Sequence, residues 1–138
     1  MLRKSPSGNH PENGVIEEIA GHLHATFGSA PETMVVLGSG LGAVVKQMDV
    51  ENKASTVSLG LPQSLVEGHA GEVVCGSLAG SRLVVLSGRV HLYEGHPAPT
   101  LVRYVRGAWL WGVKRLLLTC SAGGITENLD PGHLVVIS

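Results

Sequence analysis

Eleven consecutive residues, Ser87-Gly88-Arg89-Val90-His91-Leu92-Tyr93-Glu94-Gly95-His96-Pro97, hold a guanidinium, two imidazoles, a phenol and a carboxylate. Arg89 and His91 stand two apart. In an extended segment that spacing puts both on one face, where they can grip a single phosphate, the guanidinium offering its planar fork. Glu94 is placed to orient His91 and support its charged form, and Tyr93 offers a ring face to an apolar ligand edge. The same residues admit two other readings. One is a polar loop around surface ion pairs, each worth ~0–1 kcal/mol. The other is a His-x-x-Glu-x-His metal site, which no ligand-spacing rule supports.

Two further stretches share this character. Gly38-Ser39-Gly40-Leu41-Gly42 follows an apolar run and precedes a short helical pattern. Small residues there let backbone N–H groups and a helix N-terminus approach an anion, and Ser39 adds a hydroxyl. A tight turn with no ligand is the plain alternative. A dinucleotide fingerprint, Gly38-x-Gly40-x-x-Ala43, is formally matched, but it wants an acidic residue roughly 20 positions on, and residues 57–63 contain none. Thr119-Cys120-Ser121-Ala122-Gly123-Gly124 is the third small-residue turn after an apolar run. His69, in Gly68-His69-Ala70-Gly71, adds an imidazole that on its own reads as structural. Ser39, His91 and an acid would make a hydrolase triad, but Gly-Ser-Gly lacks the G-x-S-x-G elbow.

The elements that must position these groups alternate. Val15, Ile16, Ile19, Ala20, Leu23 and Phe27 share one helical face, with Glu17 and Glu18 in the first turn and Gly28 and Pro31 as stops. Residues 33–37 read as a buried strand and 41–48 as a short helix. Asp49, Glu51, Asn52 and Lys53 suggest a surface turn, and residues 55–59 a strand. Strands at 73–78 and 82–86 flank Ala79-Gly80-Ser81 as a hairpin. Pro99 suits a first helical turn, and Leu101, Val102, Val105, Ala108 and Trp109 form a stripe to Gly112. Residues 116–118 read as a buried strand, Asp130-Pro131-Gly132 as a turn, and residues 134–137 as another strand.

This order predicts an α/β fold with a mixed, largely parallel twisted sheet flanked by helices. The last strand has no covering helix after it, so the chain reads as the front of a larger, C-terminally incomplete domain. With parallel neighbours, the three small-residue turns converge on one crevice, which is where open α/β sheets hold their ligands.

Bulk properties narrow the classes. A chain of 138 residues is one domain in size, and 43% hydrophobic residues suffice for a core. Charged residues are only 15% and the net charge is −1, so neither nucleic acid nor an anionic membrane is an expected partner. The 19 glycines cluster in short turns, which excludes collagen-like and low-complexity chains. No apolar run approaches the ~20 residues of a membrane span. Residues 1–14 are polar with no apolar core behind Arg3-Lys4, which predicts a disordered tail rather than a secretory signal. Cys75 and Cys120 form no C-x-x-C pair; reduced thiols in the cytoplasm fit them, with a disulfide left open. His22 and His24 point about 200° apart on their helix and share no metal.

In order and spacing, the Gly38–Gly42, Gly68–Gly71, Gly88–His96 and Leu118–Gly124 motifs resemble the trimeric class of purine nucleoside phosphorylases, and Pro131-Gly132-His133-Leu134 looks like the turn that follows there. The resemblance covers residues 15–138, which would be the N-terminal portion of a single phosphorylase domain. It implies phosphorolysis of purine (deoxy)ribonucleosides to free base and (deoxy)ribose 1-phosphate in purine salvage. Inorganic phosphate would be co-substrate, with no cofactor and no metal. Ser39, His69, Arg89, His91 and Ser121 would hold phosphate, Tyr93 would line the ribose, and Glu94 would position His91. A cytoplasmic homotrimer is implied, taking purine nucleoside and phosphate. The family usually has Asn-Ala where this chain has Cys120-Ser121, and its members are longer, the remainder supplying the base pocket. Impaired activity is therefore expected. The alternatives are a non-catalytic remnant that needs a partner chain and, less favoured, a small dinucleotide-binding module.

Overall fold

The computed structural model describes Leu2, residues 11–64 and residues 71–137. Helix α1 spans Asn13–Phe27 and strand β1 Thr33–Leu37. A 3-10 segment, Gly42–Gln47, leads to β2, Asp49–Ser55. The hairpin is β3, Glu72–Leu78, and β4, Ser81–Ser87. Two helices follow, α2 over Ala98–Leu101 and α3 over Arg103–Trp111, and then β5, Arg115–Leu118.

The strands form one mixed sheet in the order β2-β3-β4-β1-β5. Parallel pairing is confined to β4–β1–β5, whereas β2–β3 and β3–β4 are antiparallel. Alternating residues of β4 serve both faces. Val84 and Leu86 join the α1 and α3 side chains in the larger cluster, and Leu83 and Val85 face Leu37, Met48 and Val74 in the smaller one. The α1 stripe is as expected: Ile16, Ile19, Ala20, Leu23 and Phe27 are buried.

Helices α1 and α3 meet closely because Gly107 carries no side chain; a Cβ there would lie 2.5 Å from Ile19 Cγ2. Arg103 donates twice to the Glu12 carboxylate, at 2.6 and 3.0 Å, and Trp111 Nε1–H donates to the Gly28 carbonyl at 2.9 Å. These contacts fix α3 against the element that also covers the sheet.

Several expectations are corrected. Helix α1 starts at Asn13, so Glu17 and Glu18 lie beyond its first turn. Residues 49–53 are strand, not surface turn, because the polar β2 pairs along β3 at the sheet edge with only a backbone requirement to meet. The strand expected at 55–59 is instead a 3-10 turn, Val57–Leu59. The short helix expected at 41–48 is present as a 3-10 segment, Gly42–Gln47. The stripe at 101–109 is re-phased. The chain breaks at Val102, and α3 then buries Gly107, Ala108, Leu110 and Trp111 while Val102 and Trp109 are exposed. β5 is exposed along its whole length, since it sits at the sheet edge with only β1 beside it. Residues 134–137 form no strand; Leu134, Val135, Val136 and Ile137 are largely exposed and pair with no strand among the described residues. Both thiols are free, Cys75 buried and Cys120 exposed.

Candidate active site

The parallel half of the sheet brings the small-residue turns together. Leu37 of β1 pairs with Ser87 of β4, and Val36 pairs with Leu118 of β5. The turns beginning at Gly38, Gly88 and Thr119 therefore leave the same end of three adjacent strands. Two of them interlock. Gly38 N–H donates to Thr119 Oγ1 at 2.8 Å, and that hydroxyl donates to the Val36 carbonyl at 2.9 Å. A Cβ at Gly38 would lie 2.6 Å from the Thr119 carbonyl oxygen and 2.7 Å from Cys120 Cα, so only glycine allows the approach. Ser39 and Ser121 follow on this rim, both exposed.

The β4 turn carries the titratable groups. Gly88, with φ of +88°, turns the chain out of the strand. Arg89 is half-buried and lines a narrow cleft together with Tyr104 of α3. Burial pushes the Tyr104 phenol above its ordinary value, and the charge of Arg89 pulls the other way. His91 precedes a 3-10 turn, Leu92–Glu94, and its ring stacks on Tyr93 with centroids 4.9 Å apart and planes 10° apart. Tyr93 is otherwise 74% exposed, a ring face open to a ligand.

Glu94 meets His91 through the main chain. One carboxylate oxygen accepts the His91 backbone N–H at 2.6 Å; the other accepts the Ser64 hydroxyl at 3.0 Å. The carboxylate was expected at the imidazole. A capping box competes for it, because the first amides of a short helical turn need acceptors. His69 lies outside the described residues.

Three contributors were not foreseen. Ser64, 7% exposed, gives no sequence signal, since it meets Glu94 only through tertiary folding. Thr119 was read as one of several small residues but is the clasp between two turns. Tyr104 was legible in principle, because Tyr104, Gly107, Ala108 and Trp111 fall at i, i+3, i+4 and i+7 once α3 is given its own phase.

Other basic side chains are engaged away from this rim. Lys114 and Arg115 pair with Glu32, and Arg82 pairs with Glu51 and reaches the carbonyls of Phe27 and Ser29 at the end of α1. At the β4 turn itself the guanidinium is that of Arg89. Chemically, the rim offers a guanidinium, an imidazole, two hydroxyls and glycine-rich backbone, a donor set suited to an oxyanion.

No protein-family model matches the chain. Individual relatives do. It is 39% identical over 124 residues to purine nucleoside phosphorylase 1 of Geobacillus stearothermophilus, covering 89% of this chain and 45% of that protein. It is 38% identical over 111 residues to the purine nucleoside phosphorylase of Bos taurus, covering 78% of this chain and 37% of that one. The Schistosoma mansoni purine nucleoside phosphorylase, solved in complex with acetate, superposes with a TM-score of 0.75 at 31% identity over 86% of this chain and 44% of its own. A purine nucleoside phosphorylase solved in complex with ribose-1-phosphate superposes with a TM-score of 0.71 at 33% identity, over 83% of this chain and 43% of that one. The chain thus spans less than half the length of the relatives it matches.

Proposed function

We propose that this chain, which matches part of a purine nucleoside phosphorylase in sequence and fold, carries the phosphate and ribose side of a purine nucleoside phosphorolysis site. The observation that carries the reading is the meeting of the β1, β4 and β5 turns at one sheet end. Relatives solved with ribose-1-phosphate and with inosine support the substrate class.

In this reading Ser39, Arg89 and His91 hold inorganic phosphate, with His69 and the Ser121 backbone assisting, and Tyr93 faces the ribose. Glu94 positions His91 by tying down its amide. A phosphate oxygen forms the new bond to the anomeric carbon as the bond from that carbon to the purine nitrogen breaks. The bonding pair leaves with the purine, which takes up a proton. Products are the free base and (deoxy)ribose 1-phosphate. The groups named here serve one end of that displacement: they orient the nucleophile while it stays anionic, and its charge offsets the positive charge developing on the sugar. Phosphate is co-substrate and no cofactor takes part. Assembly as a cytoplasmic homotrimer belongs to the same proposal.

A second reading is a non-catalytic portion that works only with a partner chain. It is favoured by the exposed apolar residues of β5 and of residues 134–137. Incubation with inosine and phosphate separates the two. Phosphate-dependent hypoxanthine release rejects the partner-dependent reading. Phosphate binding without turnover supports it, and no phosphate binding rejects the first reading for this chain.

A further inference from the structure

The 3-10 turn Leu92–Glu94 sets His91 and Tyr93 on the rim, yet it buries none of its own residues. Leu92 is 67% exposed and Tyr93 74%. So exposed a turn gains little from packing, and 3-10 geometry is weak by itself, so its hydrogen bonds decide its shape. They meet at Glu94. One carboxylate oxygen accepts the His91 backbone N–H at 2.6 Å, and the other accepts the Ser64 hydroxyl at 3.0 Å. The capping box also closes in the other direction, the Glu94 backbone N–H donating to the His91 side chain.

That last bond bears on the imidazole. A ring nitrogen that accepts an N–H carries no proton, so the neutral ring keeps its proton on the other nitrogen. Orientation and tautomer are thus set by the same box, and the ring so held stacks on Tyr93. Ser64 ties the box to the core. It is 7% exposed and follows a pinned segment: Leu61 N–H donates to the Thr56 carbonyl at 2.9 Å, and Leu59 and Leu61 are buried in the larger cluster. A glutamate side chain left to itself samples several rotamers, and ordering it costs free energy. We propose that Ser64 is a positioning residue: by holding the Glu94 carboxylate in the box, it fixes the orientation and tautomer in which His91 presents its ring N–H to a phosphate oxygen. The inference rests on the phosphate reading of His91.

The test uses the full chain, inorganic phosphate as the probe, and Ser64→Ala, which removes one hydroxyl and adds no bulk. Nitrogen-15 NMR of the His91 ring, at a pH where the ring is neutral, reports the tautomer before phosphate is added. Titration calorimetry gives the phosphate affinity. The unaltered chain should show one protonated and one proton-free ring nitrogen. In Ser64→Ala the two resonances should move toward each other as the tautomers exchange, and phosphate should bind about two- to tenfold more weakly. Ring resonances that stay where they were overturn the proposal even if the melting temperature falls, because Ser64 would then serve stability alone. Shifted resonances with unchanged phosphate affinity overturn it as well. His91→Phe identifies the ring signals and isolates the underlying reading: if it binds phosphate as well as the unaltered chain, His91 is not a phosphate ligand. The ligand-free spectrum of Ser64→Ala still decides whether Ser64 sets the tautomer.

Discussion

Gly38→Ala probes the joint on which the convergence of turns depends. The added Cβ would sit 2.6 Å from the Thr119 carbonyl oxygen and 2.7 Å from Cys120 Cα, both backbone atoms that cannot rotate away. Ordinary contact begins near 3.4 Å, so the two turns must part by about 0.8 Å. That displacement stretches the Gly38 N–H···Thr119 Oγ1 bond from 2.8 Å to about 3.6 Å, beyond hydrogen-bond range. Overpacking costs ~1–3 kcal/mol and the lost bond ~0.5–1.5 kcal/mol. The expected destabilisation is therefore about 2–4 kcal/mol, a fall in Tm of roughly 5–15 °C for a chain of this size. Gly42→Ala is the control: a Cβ there meets nothing within 4 Å, and its stability should change by less than about 0.5 kcal/mol. Urea denaturation and thermal melts of both variants decide the matter. If Gly38→Ala unfolds with Gly42→Ala, the β1 and β5 turns do not interlock as described.

Other outcomes follow from single contacts. Gly107→Ala should lose about 1–3 kcal/mol in urea unfolding, because its Cβ would press on the buried Ile19. Glu94→Ala should cost about 2–4 kcal/mol, since it takes an acceptor from both the Ser64 hydroxyl and the His91 amide; Glu94→Gln, which keeps one oxygen, should cost less. A thiol reagent should label exposed Cys120 at once and buried Cys75 only on unfolding, burial also raising the pKa of that thiol. The Lys114 hydrogen bond and charge, with the Arg115 charge, hold Glu32 below its ordinary pKa. Its contribution to stability is present above the unfolded pKa and lost as pH falls through the folded one, so Glu32→Gln should flatten the acid limb of a Tm–pH profile. Val136→Lys should reduce self-association seen by light scattering while leaving Tm unchanged, because Val136 is 89% exposed.

Legibility in the sequence tracked how local the deciding interaction is. The α1 stripe, the β3–β4 hairpin and the strand-end glycine turns were readable because helical periodicity, strand alternation and turn chemistry act over a few residues. β2 was misread because its partner, β3, supplies the pairing that its polar composition does not advertise. The α3 stripe was misphased because one non-helical residue, Val102, resets the helical register. At the site, the donor types and their order along the chain were evident. The route by which Glu94 reaches His91, through its amide, was not.

By itself the sequence determined the donor set: a guanidinium, an imidazole, a phenol and small hydroxyl turns, each placed just after an apolar run. Residue type and short spacing suffice for that, since they depend only on neighbours in the chain. Tertiary structure decided which of these groups share a neighbourhood. Strand order β4-β1-β5 sets the three turns side by side, and the Gly38–Thr119 contact locks two of them. The placement of α3 sets Tyr104 beside Arg89 on one cleft, and the fold of residues 56–64 gives Glu94 its serine. Those groups lie 15 to 81 positions apart in the chain, a separation at which only the packing of the core selects who meets whom.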